Sequence, residues 1–71
     1  MAILTLGEAV DNTLEALGEK VPDVADLFRK EYNKLLSSHN MLWREQPESI
    51  VTGLFPELLA KMKRVLAALP Q

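Results

Sequence analysis

Four carboxylates near the start of the chain have the spacing closest to a chemical site. Glu8, Asp11, Glu15 and Glu19 fall within about 80° of one another on a helix surface. Such a row of oxygen ligands suits a divalent cation if a second helix supplies more of them, and it suits a basic protein partner equally well. The alternative is a solvated helix face. We keep the four as candidate partner-binding residues and predict no metal site.

His39 is the only imidazole in the chain, and it follows Ser37 and Ser38. A zinc site needs three or four ligands, which one histidine without any cysteine does not supply. A nucleophile and its base must converge in space, and neighbours in sequence rarely do so. We therefore predict no catalytic residue, no cofactor and no enzyme activity. His39 is expected at a helix end, where a cation offsets the helix dipole.

A second charged group, Lys61, Lys63 and Arg64, lies in the last predicted helix. With Arg44 it forms the basis of an alternative function, weak nucleic-acid binding by the basic C-terminal helix. Nucleic-acid binding needs a wider basic field than three lysines and arginines in a chain of net charge −2. Cations late in a helix also stabilise it without any ligand. Nucleic acid is thus the less favoured partner.

The segment "SSHNMLWREQPES", residues 37–49, contains the only tryptophan. Trp43 has two interpretations, because tryptophan is both a large core residue and a frequent interface anchor. We predict a helix end, then a short helical turn that lays Met41, Leu42 and Trp43 on the bundle, then a corner at Pro47. If the segment is functional, Trp43 is expected to carry the function and His39 is not.

Three apolar patterns of helical period predict the elements that carry these residues. Thr5 and Glu8 form a capping box, with Ile3 and Leu4 placed for a hydrophobic staple, and Gly18 is a natural stop. The predicted helices span 6–17, 23–37 and 56–69, with one or two short helices within 40–53 and Gly53 as their stop. Proline is expected in the first turns of the second and last helices. Short connections make successive helices antiparallel, so the predicted fold is an all-α antiparallel bundle.

The predicted core collects the residues on the apolar stripes of these helices together with the tryptophan. Its members are Leu6, Val10, Leu14, Leu17, Val24, Phe28, Leu35, Trp43, Leu54, Leu58, Met62, Val65 and Leu66. Leu27 falls off the stripe of its helix, as do Ala60, Ala67 and Ala68 in the last helix. These residues indicate either a second contact surface or an ordinary helix exterior.

Length and composition limit the functions available to the chain. Its 71 residues are expected to form one domain, 1–71, and contain no cysteine, so disulfides and thiolate metal sites are excluded. No apolar run approaches the roughly 20 residues of a membrane span, and the N-terminus has no basic signal region. A soluble, cytoplasmic protein is the expectation. Charge is uneven, with −5 over residues 1–26 and +3 over the remainder.

These observations favour a non-catalytic protein–protein interaction module or a small regulatory or adaptor subunit. The partner is expected to be another protein or a second copy of the chain, because a homodimer would cover the off-stripe apolar residues and enlarge a small core. The candidate partner-binding residues are Trp43, Leu27, Glu8, Asp11, Glu15, Glu19, Lys61 and Arg64.

Overall fold

A computed structural model describes residues 4–70 and contains three α-helices. Helix α1 spans Leu6–Lys20, α2 spans Pro22–Ser38, and α3 spans Leu54–Ala68. Two short 3₁₀ turns, Met41–Glu45 and Glu48–Ile50, lie between α2 and α3. Residues 4–70 contain no strand, and their one β-type contact is an isolated bridge between Thr5 and Pro47. The predicted all-α fold is confirmed, and no helix within residues 4–70 has the length and apolarity to cross a bilayer.

The N-terminus of α1 is fixed by the predicted capping box. The Glu8 amide donates to Thr5 Oγ1 at 3.2 Å, and the Thr5 amide donates to Glu8 Oε1 at 3.2 Å. Both bonds satisfy donors that the first helical turn cannot pair internally. Of the predicted staple, Ile3 lies outside the described residues.

Gly18 does not end α1, so that prediction is wrong. The helix continues to Lys20 and ends at Val21, whose amide donates to the Leu17 carbonyl. Gly18 remains helical where α2 turns back, and a Cβ at this position would lie 3.9 Å from Ala25 Cβ. Pro22 lies in the first turn of α2, as predicted, and α2 begins at Pro22, one residue before the predicted bound.

The end of α2 agrees with the prediction for His39. The helix stops at Ser38, and His39 is its C-cap, with Nδ1 donating to the Leu35 carbonyl at 3.0 Å. Within the same helix, Arg29 pairs with Asp26 at 3.4 Å, one turn along the exposed face.

The connection between α2 and α3 is tied to the N-terminus of α1. Asn40 caps the first 3₁₀ turn by accepting from the Leu42 amide at 2.9 Å. The Leu6 amide donates to the Gln46 carbonyl at 2.8 Å, and the Glu48 amide donates to the Leu4 carbonyl at 2.9 Å. Gly7 permits this approach, since a Cβ there would lie 3.1 Å from the Arg44 carbonyl oxygen. The turn therefore lies directly against α1.

Helix α3 begins two residues before the prediction. Gly53 is its N-cap rather than the stop of the preceding short helix, and its φ of 85° favours glycine. Pro56 lies in the first turn, as predicted, and α3 ends at Ala68. The short helical segment before it spans only Glu48–Ile50.

The core lies where α1 packs against both α2 and α3. Its buried apolar residues are Leu6, Ala9, Val10, Leu14, Leu17, Ala25, Tyr32, Leu36, Val51, Phe55, Leu58, Leu59 and Met62. Six predicted core residues are therefore buried, and five are half-buried, namely Val24, Phe28, Leu35, Val65 and Leu66.

Two predicted core residues, Trp43 and Leu54, are exposed. Trp43 is 37% exposed because a 3₁₀ turn has about three residues per turn, so that Met41 and Arg44 share the face beside Tyr32 while Trp43 lies on an outer face with Leu42. Arg44 of this turn lies against Gly7 of α1. The turn does not lay all three apolar residues on the bundle, so that prediction is wrong as well. Leu54 is 52% exposed because Phe55, about 100° further round the helix, takes the buried face.

Candidate interaction surface

A groove between α2 and α3 combines apolar side chains with charged residues on its rim. It is a hollow of about 310 Å³ lined from α2 by Leu27, Phe28, Glu31 and Leu35, and from α3 by Leu54, Glu57, Leu58 and Lys61. We call it the α2–α3 groove. No residue of α1 lines it, so it opens on the side of the helix pair that α1 does not cover.

Two leucines of this groove are exposed because each lies beside the buried face of its helix. Leu27 is 65% exposed because it lies beside the stripe that turns Ala25, Tyr32 and Leu36 inward. Leu54 is the first residue of α3 and lies to one side of the buried face that contains Phe55. Phe28 and Leu35 are half-buried beneath them. Large apolar side chains grouped in a concave site are typical of binding surfaces.

Charged side chains of both signs stand around the α2–α3 groove. Glu31 projects from α2, while Glu57 and Lys61 lie one turn apart on α3, and all three are exposed. The groove thus combines an apolar floor with a polar rim, the usual anatomy of a protein interface.

Of the sequence-predicted partner residues, the structure brings Leu27 and Lys61 together at this groove. Trp43 lies elsewhere, in a shallow depression with Asn40, Leu42, Gln46 and Ile50. Leu42 and Ile50 are also exposed, and we call this second apolar area the Trp43 patch. It shares no lining residue with the α2–α3 groove.

The acidic row on α1 is exposed along its length, from Glu8 to Glu19. Glu8 and Asp11 line a depression together with Arg44, which projects from the first 3₁₀ turn. Across residues 4–70, no three carboxylate or histidine side chains are grouped closely enough to hold a metal ion. The row therefore presents an extended acidic face.

The basic residues named for nucleic-acid binding do not form one field. Lys61, Lys63 and Arg64 are exposed on α3, with Lys61 at the α2–α3 groove. Arg44 instead lies beside the acidic residues of α1, in depressions that contain none of the three α3 bases.

A smaller cavity of about 200 Å³ lies beside Tyr32, between α1, α2 and the first 3₁₀ turn. The Tyr32 ring packs edge-on against Phe55 with centroids 6.3 Å apart, and its buried hydroxyl has no hydrogen-bond partner within residues 4–70. Burial raises the pKa of the Tyr32 hydroxyl, the nearby Asp11 carboxylate raises it further, and the Arg44 guanidinium partly opposes the shift.

Sequence reasoning missed Leu54, Phe28, Leu35 and Glu31 as residues of the surface. Phe28 and Leu35 are predicted in the core because they lie on the apolar stripe of the second helix, and Leu54 because it shares an apolar side with Ile50 and Val51. The available signal was the width of those stripes, since about 120° of apolar surface exceeds the face that one neighbouring helix covers. Glu31 carried no sequence signal that sets it apart from other exposed acids.

Comparison of the chain with protein-family models, with curated proteins and with solved structures gave no match.

Proposed function

We propose that the protein is a non-catalytic protein–protein interaction module that binds its partner through the α2–α3 groove. The observation that carries the proposal is the exposure of Leu27 and Leu54 above a half-buried apolar floor. Covering these side chains removes apolar surface from water at roughly 25 cal/mol per Å². The rim residues would then orient the partner rather than supply most of the affinity.

The residues that would do chemistry on a substrate give no support to a catalytic alternative. The His39 Nδ1 hydrogen is donated to a backbone carbonyl of its own helix, and its ring packs against Phe55 at 5.9 Å. The arrangement suits a helix-ending residue, not a base aligned on a nucleophile. An interaction role requires exposed apolar area and charged residues, and the α2–α3 groove has both.

A photo-cross-linking residue placed at position 27 of the full chain, in its native host, tests the proposal. We expect discrete protein adducts from position 27, because a residue at the centre of an interface lies within reach of its partner. The matched control is position 12, since Asn12 is exposed on α1 and outside the groove. Absence of adducts from position 27, or equal adducts from both positions, would reject the interaction role of this surface.

A further inference from the structure

We infer that the occupant of the α2–α3 groove is a second copy of this chain, related to the first by a two-fold axis that passes near α3. The inference rests on the proposed function and names its partner. In such an arrangement the same surface patch is used by both copies, so the patch must complement itself in charge and in shape.

The charges on α3 meet this requirement. Glu57 and Lys61 are exposed on the same side of α3, one turn apart. When two α3 helices run antiparallel about a two-fold axis, Glu57 of each copy lies opposite Lys61 of the other. The rim carries two carboxylates, Glu31 and Glu57, and one ammonium, Lys61, so a partner of either single sign would meet at least one like charge. The mixed rim therefore favours a partner that carries the same pair in reverse order.

The shape of the patch also satisfies the requirement that the patch complement itself. Leu27 and Leu54 project at the edge of a hollow of about 310 Å³. That volume is about twice the ~150 Å³ of an engineered cavity that accommodates a benzene ring, so it has room for leucine side chains from a second copy. Each copy thus offers both the projecting residues and the space that receives them.

The small size of the chain adds a reason for self-association. A standard interface covers about 800 Å² on each partner. The chain exposes 5062 Å² in total, so such an interface would cover about a sixth of its surface. The side of α2 and α3 that α1 leaves uncovered is where helix packing is incomplete. A second copy would give these two helices a second packed layer.

Sedimentation equilibrium of the full chain over a micromolar range is the first part of the test. We expect wild type to form dimers, and Leu27→Asp to raise the dissociation constant at least tenfold, since it places a carboxylate in an apolar contact. Leu42→Asp is the matched control, because Leu42 is similarly exposed but lies in the Trp43 patch. Leu27→Ser serves in place of Leu27→Asp if circular dichroism shows that the latter has lost helix.

A charge exchange between two variants is the second part. Glu57→Lys and Lys61→Glu alone should each raise the dissociation constant roughly tenfold, because both intermolecular pairs become like-charge contacts. An equimolar mixture should recover the wild-type constant within about threefold, and added salt should reduce the difference. Any pairing of positions 57 and 61 within one helix is lost in both variants, so recovery on mixing reports contacts between copies.

Three results would overturn the second copy as occupant: a wild-type chain that stays monomeric at high micromolar concentration, dissociation by Leu42→Asp but not by Leu27→Asp, and a mixture that does not recover. The cross-linking experiment separates this failure from that of the proposed function. Adducts from position 27 that contain only other proteins would reject the second copy and retain the interaction role. No adducts of either kind would reject both.

Discussion

The Tyr32 side chain has a well-packed ring and a hydroxyl without a hydrogen bond. Its ring is buried and meets Phe55 edge-on, a favourable geometry for two aromatic rings. Its hydroxyl is buried too, and residues 4–70 offer it no acceptor or donor. Leaving a buried hydroxyl unpaired costs about 1–3 kcal/mol, so the packing of the ring is the reason for having an aromatic residue here.

Replacing Tyr32 with phenylalanine should therefore leave the free energy of unfolding unchanged or raise it by up to about 1–3 kcal/mol. The ring contact with Phe55 is retained, and the unpaired hydroxyl is removed. Urea denaturation of the two proteins followed by circular dichroism measures the difference. A loss of more than about 1 kcal/mol, the worth of a typical hydrogen bond, would show that the hydroxyl has a stabilising partner.

The raised pKa of Tyr32 predicts a loss of stability at alkaline pH. The folded state holds the hydroxyl proton more tightly than the unfolded state, whose pKa lies near the ordinary value of 10.0. The part of the unfolding free energy that comes from holding this proton is thus fully present below pH 10. It is lost as pH rises through the folded-state pKa. Tyrosinate absorbance follows the ionisation of the Tyr32 hydroxyl directly, because Tyr32 is the only tyrosine. At pH above 10.0 the stability of wild type should fall more steeply than that of Tyr32→Phe, and parallel pH profiles would contradict the assignment.

At the scale of the helices, two glycines have opposite roles that their sequence context does not separate. Both stand where a helix stop is expected, yet Gly18 is inside α1 and Gly53 precedes α3 with a φ of 85°. Gly18 has helical geometry that any residue adopts, and a Cβ added there would meet only Ala25 Cβ within 4 Å. Gly53 has open space around it but a backbone conformation that a side chain strains.

The two alanine substitutions should therefore shift stability in opposite directions. Gly18→Ala should raise the free energy of unfolding by about 0.5–1 kcal/mol, because alanine is the better helix former and has room. Gly53→Ala should lower it by about 1–3 kcal/mol, because positive φ is costly for alanine. Thermal melts of the two variants beside wild type measure both shifts. Equal shifts of the same sign would mean that backbone geometry does not govern these positions.

The first 3₁₀ turn explains why the apolar run Met41, Leu42 and Trp43 is not a core element. Residues three apart share a face in such a turn. Met41 and Arg44 accordingly line the cavity beside Tyr32, whereas Trp43 and Gln46 share the outer depression. The close contact of Gly7 with Arg44 sets which face turns inward. Trp43 remains a candidate contact residue, in an area separate from the α2–α3 groove.

At the scale of the whole molecule, α1 packs against both other helices and leaves one side of the α2–α3 pair open. The most enclosed large side chains are Leu6, Val10, Leu17 and Met62, so the centre of the core lies along α1. Apolar residues on the far sides of α2 and α3 consequently stay at the surface. A chain this short buries only about 60% of its unfolded surface, which makes association an effective source of further stability.

If a second copy covers this side, the melting temperature should rise with protein concentration, since association stabilises only the folded state. Wild type should melt several degrees higher at 100-fold greater concentration, because mass action then adds about 2.7 kcal/mol per mole of dimer, which is half as much per chain. Leu27→Asp should show a smaller rise over the same range, because its weaker association needs a higher concentration to take effect. Scanning calorimetry at both concentrations checks this, and a concentration-independent wild-type melt would count against self-association in this range.

The sequence alone was enough to predict the fold class and most of the elements. Apolar residues at helical spacing identified all three helices, and local chemistry identified the Thr5–Glu8 capping box and the start of α2 at Pro22. These features depend on residues within one or two turns of each other, whose interactions are nearly independent of the rest of the chain. Helix ends at glycine were less predictable, as Gly18 and Gly53 show.

Only the tertiary structure decided which apolar residues are covered. Leu35 and Phe28 lie on an apolar stripe just as the buried Leu58 does, and Trp43 is larger than any core residue. Whether each is buried depends on where α1 lies and on how closely the first 3₁₀ turn approaches Gly7. Those positions are set by packing between residues far apart in sequence, so the α2–α3 groove, which joins Leu27 with Lys61, is a product of the fold and not of any local pattern.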